Sequence, residues 1–164
     1  MGWDERYRRG EHLDLAPLDF IAHAAPRLAP GCALDLASGP GRHARLLWEL
    51  GWSVTAVDSS AVALSHLPAG IAAVCADLEK HEFDIEPEAW DLICVCYYLQ
   101  RDLFPEIRAA VRKGGRVMAA IPLPGTINPA YTMPPGELRA LFQDWEVEHY
   151  AESRAAELIA RKPP

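Results

Sequence analysis

The chain reads as an α/β protein with a doubly wound, Rossmann-like sheet of seven strands, mostly parallel, with one antiparallel strand from a C-terminal hairpin. Three observations predict this. Short apolar runs alternate with amphipathic stretches along the whole length, as strands joined by crossover helices do. The run at 91–98 is continuously apolar beyond its first residue, which suits a strand covered on both faces of a sheet. The last two strand-like runs are only a handful of residues apart, too few for a parallel crossover, so they must pair antiparallel.

The elements follow in order. A helix is expected over 17–28, with Leu18, Ile21, Ala22, Ala25 and Leu28 on one face, Pro17 in its first turn and Pro26 kinking or ending it. A strand over 32–37 leads through Gly39-Pro40-Gly41 into a helix over 42–50, with Leu46, Leu47 and Leu50 inward and Gly51 as its stop. A second strand follows at 52–57, and Ser59 or Ser60 can cap a short helix after it. The third strand, 71–76, ends at Asp77, and the fourth is 91–98. Asp102 can cap a helix running to Arg112 and stopped by Lys113-Gly114-Gly115, before a fifth strand at 116–121. Five prolines in 122–135 mark an ordered but irregular loop. A short helix over 136–142 precedes the closing strands, 145–150 and 156–160. No repeat, low-complexity tract or linker interrupts the pattern, so one domain is expected over 1–164, with 1–15 as an N-terminal lid segment.

Composition narrows the function. At 164 residues the chain can bury a sizeable core, and half of it is apolar, as in ordinary globular proteins. A formal net charge of −7 argues against nucleic acid or an anionic membrane as the partner. Arg6, Arg8 and Arg9 read as a solvated terminus. The charged start has no apolar segment behind it, and no run is long enough to span a bilayer, so a cytoplasmic protein is expected. Cysteines 32, 75, 94 and 96 lack paired CxxC spacing. They read as core thiols in a reducing compartment, and no metal site is expected.

The chemistry gathers between Ala33 and Asp58, a strand, glycine turn, helix and second strand with a carboxylate near the tip of each strand. Gly39 and Gly41 carry no Cβ, so the turn can approach a ligand closely. The following helix points free N–H groups at that ligand. Asp58 lies 19 residues after Gly39, where it can accept hydrogen bonds from both hydroxyls of a ribose. An adenosine-containing cofactor is therefore expected. Gly39-Pro40-Gly41-Arg42-His43-Ala44 also satisfies the dinucleotide pattern, which keeps an NAD(P)-binding oxidoreductase as the alternative. Three features turn the balance away from it. Asp35 places an acid inside the first strand, where a ligand ammonium would suit it. Cys75-Ala76-Asp77-Leu78 ends the third strand with a carboxylate for an adenine amino group. The single sheet uses the whole chain, leaving no second domain for a hydride acceptor.

With these residues the chain resembles the class I S-adenosylmethionine-dependent methyltransferases over nearly its full length. The resemblance rests on Leu34-Asp35-Leu36-Ala37-Ser38-Gly39-Pro40-Gly41, Val57-Asp58, Ala76-Asp77-Leu78, Trp90-Asp91-Leu92-Ile93 and Arg112-Lys113-Gly114-Gly115-Arg116-Val117. Trp3-Asp4-Glu5-Arg6-Tyr7, Gly41-Arg42-His43-Ala44 and Tyr98-Leu99-Gln100-Arg101 are more loosely similar to small bacterial enzymes of the tellurite-resistance and thiopurine type. The resemblance implies S-adenosylmethionine as cofactor, held by Asp35, Ala37, Ser38, Gly39, Gly41, Asp58, Ser59, Asp77, Leu78 and Tyr97. It implies a small-molecule methyl acceptor, such as a thiol or chalcogen oxyanion, with Tyr7, His12, Tyr98, Arg101 and Tyr131 as polar or aromatic candidates to meet it. Ala37 departs from the glycine usual at its position. That departure, with no nucleophile–base set in sequence, leaves a non-catalytic cofactor-binding module as a third reading.

Overall fold

The computed structural model describes residues 2–125 and 127–164, so Thr126, within the proline-rich loop expected at 122–135, lies outside the described residues. The chain divides into two units, Met1–Asp84 and Ile85–Pro164.

The first unit contains α1 (Trp3–Arg8), α2 (Asp19–Ala24) with a 3-10 turn at Ala25–Arg27, β1 (Cys32–Leu36), α3 (Arg42–Glu49), β2 (Ser53–Asp58), α4 (Ala61–Leu64) and β3 (Ala72–Cys75). β1 and β2 run parallel, with Leu36 opposite Val57, and β2 and β3 run parallel, with Asp58 opposite Cys75. This register brings the carboxyl ends of the three strands level, so the segments leaving them share one edge. Ala33, Leu34 and Leu36 are fully buried, as are Ile21, Ala44, Leu47, Ala56 and Val57.

The expected helix over 17–28 is shorter and turned on its axis. Phe20, Ile21 and Ala25 are buried while Ala22 is exposed, and Pro26 falls in the 3-10 turn, where its missing N–H costs little. In α3 the buried residues are His43, Ala44 and Leu47, with Leu46 and Leu50 half-buried. Of the two possible serine caps, Ser60 is the one at α4, its Oγ accepting from the Ala63 N–H at 3.1 Å.

The second unit contains β4 (Trp90–Cys96), α5 (Leu103–Ala110), β5 (Val111–Pro122), a 3-10 turn at Pro129–Tyr131, α6 (Glu137–Ala140), β6 (Glu146–Glu152) and β7 (Ala155–Arg161). β4 and β5 are parallel, while β7 pairs antiparallel with both β5 and β6, so the closing hairpin forms as expected. The helix before β5 ends at Ala110 rather than Arg112, and Lys113-Gly114-Gly115 belongs to an irregularity in β5. There the pairing jumps from Trp90–Val111 to Leu92–Arg116, and a Cβ on Gly115 would lie 2.8 Å from the Asp91 carbonyl oxygen. Lys162 takes over the stop, its Nζ donating to the carbonyls of Arg108 and Val111 at 2.7 and 2.8 Å. Asp102 occupies the N-cap position of α5 without a side-chain cap bond. Phe104, Phe142 and Trp145 pack edge to face, with centroids 6.1 and 5.0 Å apart.

The seven strands make one mixed sheet in the order β3-β2-β1-β4-β5-β7-β6, the doubly wound arrangement expected. Among the described residues no helix is long and apolar enough to cross a membrane, and no group of His, Cys, Asp and Glu could hold a metal ion.

Candidate functional site

Asp58 is the centre of the site. It ends β2, and its carboxylate is clamped on both sides by backbone: Oδ2 accepts from the Gly39 N–H and Oδ1 from the Ser60 N–H, each at 2.9 Å. Burial raises its pKa, Asp4 adds to the rise, and the N–H groups of Ser60, Gly39 and Ser59 pull it back. A carboxylate has about four lone-pair sites, so the group retains capacity for a further donor. That fits a ribose hydroxyl.

Gly39 and Gly41 both have positive φ, +55° and +87°. The space a Cβ would fill at Gly39 lies 3.1 Å from the Tyr7 hydroxyl, and at Gly41 it lies 2.1 Å from the Leu67 methyl. A side chain there would make Tyr7 or Leu67 shift and would strain a positive-φ backbone. Ala37 adopts φ +53°, so alanine stands in the left-handed conformation that glycine usually supplies. Ser38 donates its hydroxyl to the Gly39 carbonyl and its N–H to the Val57 carbonyl, tying the turn to β2.

Asp35 is 3% exposed and accepts from the Ala44 N–H, in the first turn of α3, at 3.1 Å. Burial pushes its pKa up to about 7; the Ala44 bond and Arg42 oppose this, and Asp58 adds to it. It thus caps α3 from within β1.

At the tip of β3, Asp77 is half-buried and closes its own turn. Its Oδ1 accepts from Glu79 N–H at 2.9 Å, and its N–H donates to Glu82 Oε2 at 2.8 Å. Leu78 is buried beside it, and Ser59, on the neighbouring segment, accepts from the Cys75 thiol at 3.6 Å.

The N-terminal segment lies over this region. Trp3 and Tyr7 stack with centroids 5.7 Å apart, as their spacing anticipates, and His12 packs against both at 6.1 and 6.4 Å. Tyr7 is buried and Trp3 is exposed. Burial, reinforced by Asp58, pushes the Tyr7 phenol up to about 12. His12 has φ +62°.

The other expected residues belong to the second unit. Tyr97 follows β4 with φ +56° and half its surface exposed, its N–H donating to the Ala120 carbonyl. Tyr98 donates to Gln100 at 2.6 Å. Arg101 forms a two-pronged pair with Glu137 at 2.8 and 3.2 Å, so its charge is already matched. Tyr131 stands exposed on a loop anchored by fully buried Met133, whose N–H donates to the Pro122 carbonyl.

Three residues have parts in the site that sequence reasoning did not give them. Asp4 accepts a hydrogen bond from the Ser60 hydroxyl, across 56 positions of sequence. Ser60 itself links α4 to Asp58. His43 is buried, its Nε2 accepting from the Leu18 N–H at 3.1 Å, and burial followed by Arg42 pushes its pKa down to about 3. Only Ser60 announced itself locally, as a cap.

The family model for tellurite resistance protein TehB matches residues 15–159. Hemagglutinin 1 of Eikenella corrodens is 28% identical, the match covering 81% of this chain and 50% of that protein, so the chain spans half the length of this curated relative. The crystal structure of TehB from Haemophilus influenzae superposes with a TM-score of 0.81 at 21% identity, over 97% of this chain and 67% of that one. The 1,6-didemethyltoxoflavin-N1-methyltransferase of Burkholderia thailandensis, solved with bound 1,6-didemethyltoxoflavin and S-adenosylhomocysteine, gives a TM-score of 0.72 at 20% identity, over 98% of this chain and 85% of that one. These two structures share the fold.

Proposed function

Because the chain belongs to the TehB family of S-adenosylmethionine-dependent methyltransferases, we propose that it methylates a small soft nucleophile, a thiol or a chalcogen oxyanion, in a reducing cytoplasm. The observation that carries the cofactor half of this reading is the Asp58 clamp, a carboxylate fixed by backbone N–H groups at the tip of β2 with acceptor capacity left for a ribose hydroxyl. Asp58 would hold the ribose and Asp35 the methionine ammonium. Asp77 and Leu78 would meet the adenine. Ala37, Ser38, Gly39, Gly41 and Ser59 would frame the turn around it.

When bound, S-adenosylmethionine would supply a methyl group activated by its sulfonium for transfer to the acceptor's lone pair. The chain's part is to orient the partners and exclude water. Tyr7, the phenol beside Asp58, is a poor base with its pKa near 12. An acceptor that is already anionic needs no proton removed, which favours a thiolate or oxyanion over a neutral alcohol. Tyr7, His12, Tyr98, Arg101 and Tyr131 remain the candidates for contact with it. The four free cysteines support the reducing compartment.

The test is calorimetry with S-adenosylmethionine and S-adenosylhomocysteine, followed by turnover on a panel of thiols, oxyanions, amines and phenols. Saturable binding with turnover confined to thiols and oxyanions is expected. No binding at millimolar cofactor, or a thermal shift with NAD or NADP alone, would sink the reading.

A further inference from the structure

We propose that α1 is a clasp coupled to the cofactor through Asp58, with Asp4 as its positioning residue. The inference rests on Asp58 holding the cofactor and goes beyond it.

α1 reaches both sides of the Asp58 clamp. Asp4 accepts from the Ser60 hydroxyl, and the N–H of that same Ser60 donates to Asp58 Oδ1. The Ser60 hydroxyl also accepts from Ala63, so one side chain joins α1, the start of α4 and the carboxylate neighbour. On the other side, Gly39 donates to Asp58 Oδ2, and the space beside Gly39 is taken by the Tyr7 hydroxyl. Asp4 and Tyr7 are three residues apart and therefore share a face of the helix. The opposite requirements of α1 are met within its own segment: Arg6 pairs with Glu11, and Arg9 with Glu5. Trp3 receives the Arg6 guanidinium at 4.5 Å from its ring centroid. Among the described residues of α1, Asp4 hydrogen-bonds to Ser60 of the clamp and the Tyr7 hydroxyl packs beside Gly39.

Two carboxylates, Asp4 and Asp58, thus attach to the same serine and repel one another across it. Hydroxyls donated to Asp58 would spread its charge and ease that repulsion. Cofactor binding would then tighten α1, and by reciprocity a docked α1 would tighten the cofactor by the same factor. The fastening is selective, because only a ligand that donates to Asp58 acts on Asp4.

The experiment measures both sides of this linkage on the full chain. Trypsin cleavage after Arg8 and Arg9 is followed by mass spectrometry with and without S-adenosylhomocysteine, whose affinity is measured by calorimetry. In the wild type the ligand should slow those cuts about five- to tenfold. Asp4→Ala should cut faster without ligand, lose the protection, and bind S-adenosylhomocysteine more weakly by about the same factor, while keeping the wild-type circular dichroism. Asp4→Asn retains an acceptor for Ser60 without the negative charge, so it should restore docking without ligand, whereas ligand protection and the gain in affinity, which depend on the charge, should stay lost. Wild-type affinity in Asp4→Ala, or cleavage indifferent to the ligand in the wild type, overturns the inference alone. Failure of the wild type to bind S-adenosylhomocysteine overturns the cofactor reading and this inference together.

Discussion

Replacing Asp35 by Asn should stabilise the protein in alkali and change little in acid. The side chain is 3% exposed, and its pKa rises from 3.8 to about 7, chiefly through burial. Between those values the folded chain keeps a proton that the unfolded chain has released, so stability falls as pH rises through the window. The gap corresponds to about 4 kcal/mol lost by pH values above it. Asparagine cannot titrate, yet its Oδ1 can still accept from Ala44. The stability advantage of Asp35→Asn over the wild type should therefore grow by about 4 kcal/mol from about pH 4 to pH 8. His43 works in the opposite sense. Its folded pKa is depressed from 6.5 to about 3, so its contribution is present above the unfolded value and lost as pH falls through the window. In the wild type the two slopes oppose each other over much of the acid range, whereas the variant exposes the His43 slope. Urea denaturation followed by tryptophan fluorescence across this pH range measures both effects. A variant advantage that does not change with pH would refute the argument that burial holds a proton on this carboxyl well above its ordinary range.

Asp58→Ala should weaken S-adenosylhomocysteine about ten- to a hundredfold by calorimetry, since a bond to a charged group contributes roughly 1.5–3 kcal/mol; wild-type affinity would reduce Asp58 to a brace between Gly39 and Ser60. Ala37→Gly should raise stability by about 1 kcal/mol in urea titrations, because it relieves a left-handed alanine, and a loss of stability would mean that the methyl packs usefully. Removal of residues 1–12 should leave a folded chain by circular dichroism, with turnover falling further than cofactor affinity; full activity would remove the N-terminal segment from the reaction.

The sequence was most readable where a bond and its cause are close together. The β1–turn–α3–β2 unit announces itself through alternating apolar residues and two glycines, and the closing hairpin through the shortness of its connection. Element ends were harder. Lys113-Gly114-Gly115 looks like a helix stop, yet Gly115 is required by the Asp91 carbonyl of the adjacent strand, and a lysine almost fifty positions later ends the helix. The face of α3 was shifted by His43, whose partner Leu18 lies 25 residues away. No local pattern reports such a pair.

The same limit governs the site. Asp35, Asp58 and Asp77 could be singled out because each acid stands at or near a strand tip, but their present partners are backbone N–H groups: Ala44 for Asp35, Gly39 and Ser60 for Asp58, Glu79 for Asp77. These bonds fix the carboxylates before any ligand arrives, which lowers the ordering cost of binding. The glycine turn is likewise held by the chain's own side chains, Tyr7 against Gly39 and Leu67 against Gly41. A turn with φ values of +53°, +55° and +87° at Ala37, Gly39 and Gly41 has little freedom left to adapt. The adaptable part is the segment resting on it, attached through Asp4 and Tyr7 and otherwise paired within itself. Selectivity for the methyl acceptor should therefore reside less in the glycine turn than in what covers it, and substitutions at Trp3 or His12 should alter acceptor preference while leaving the Asp58 clamp intact.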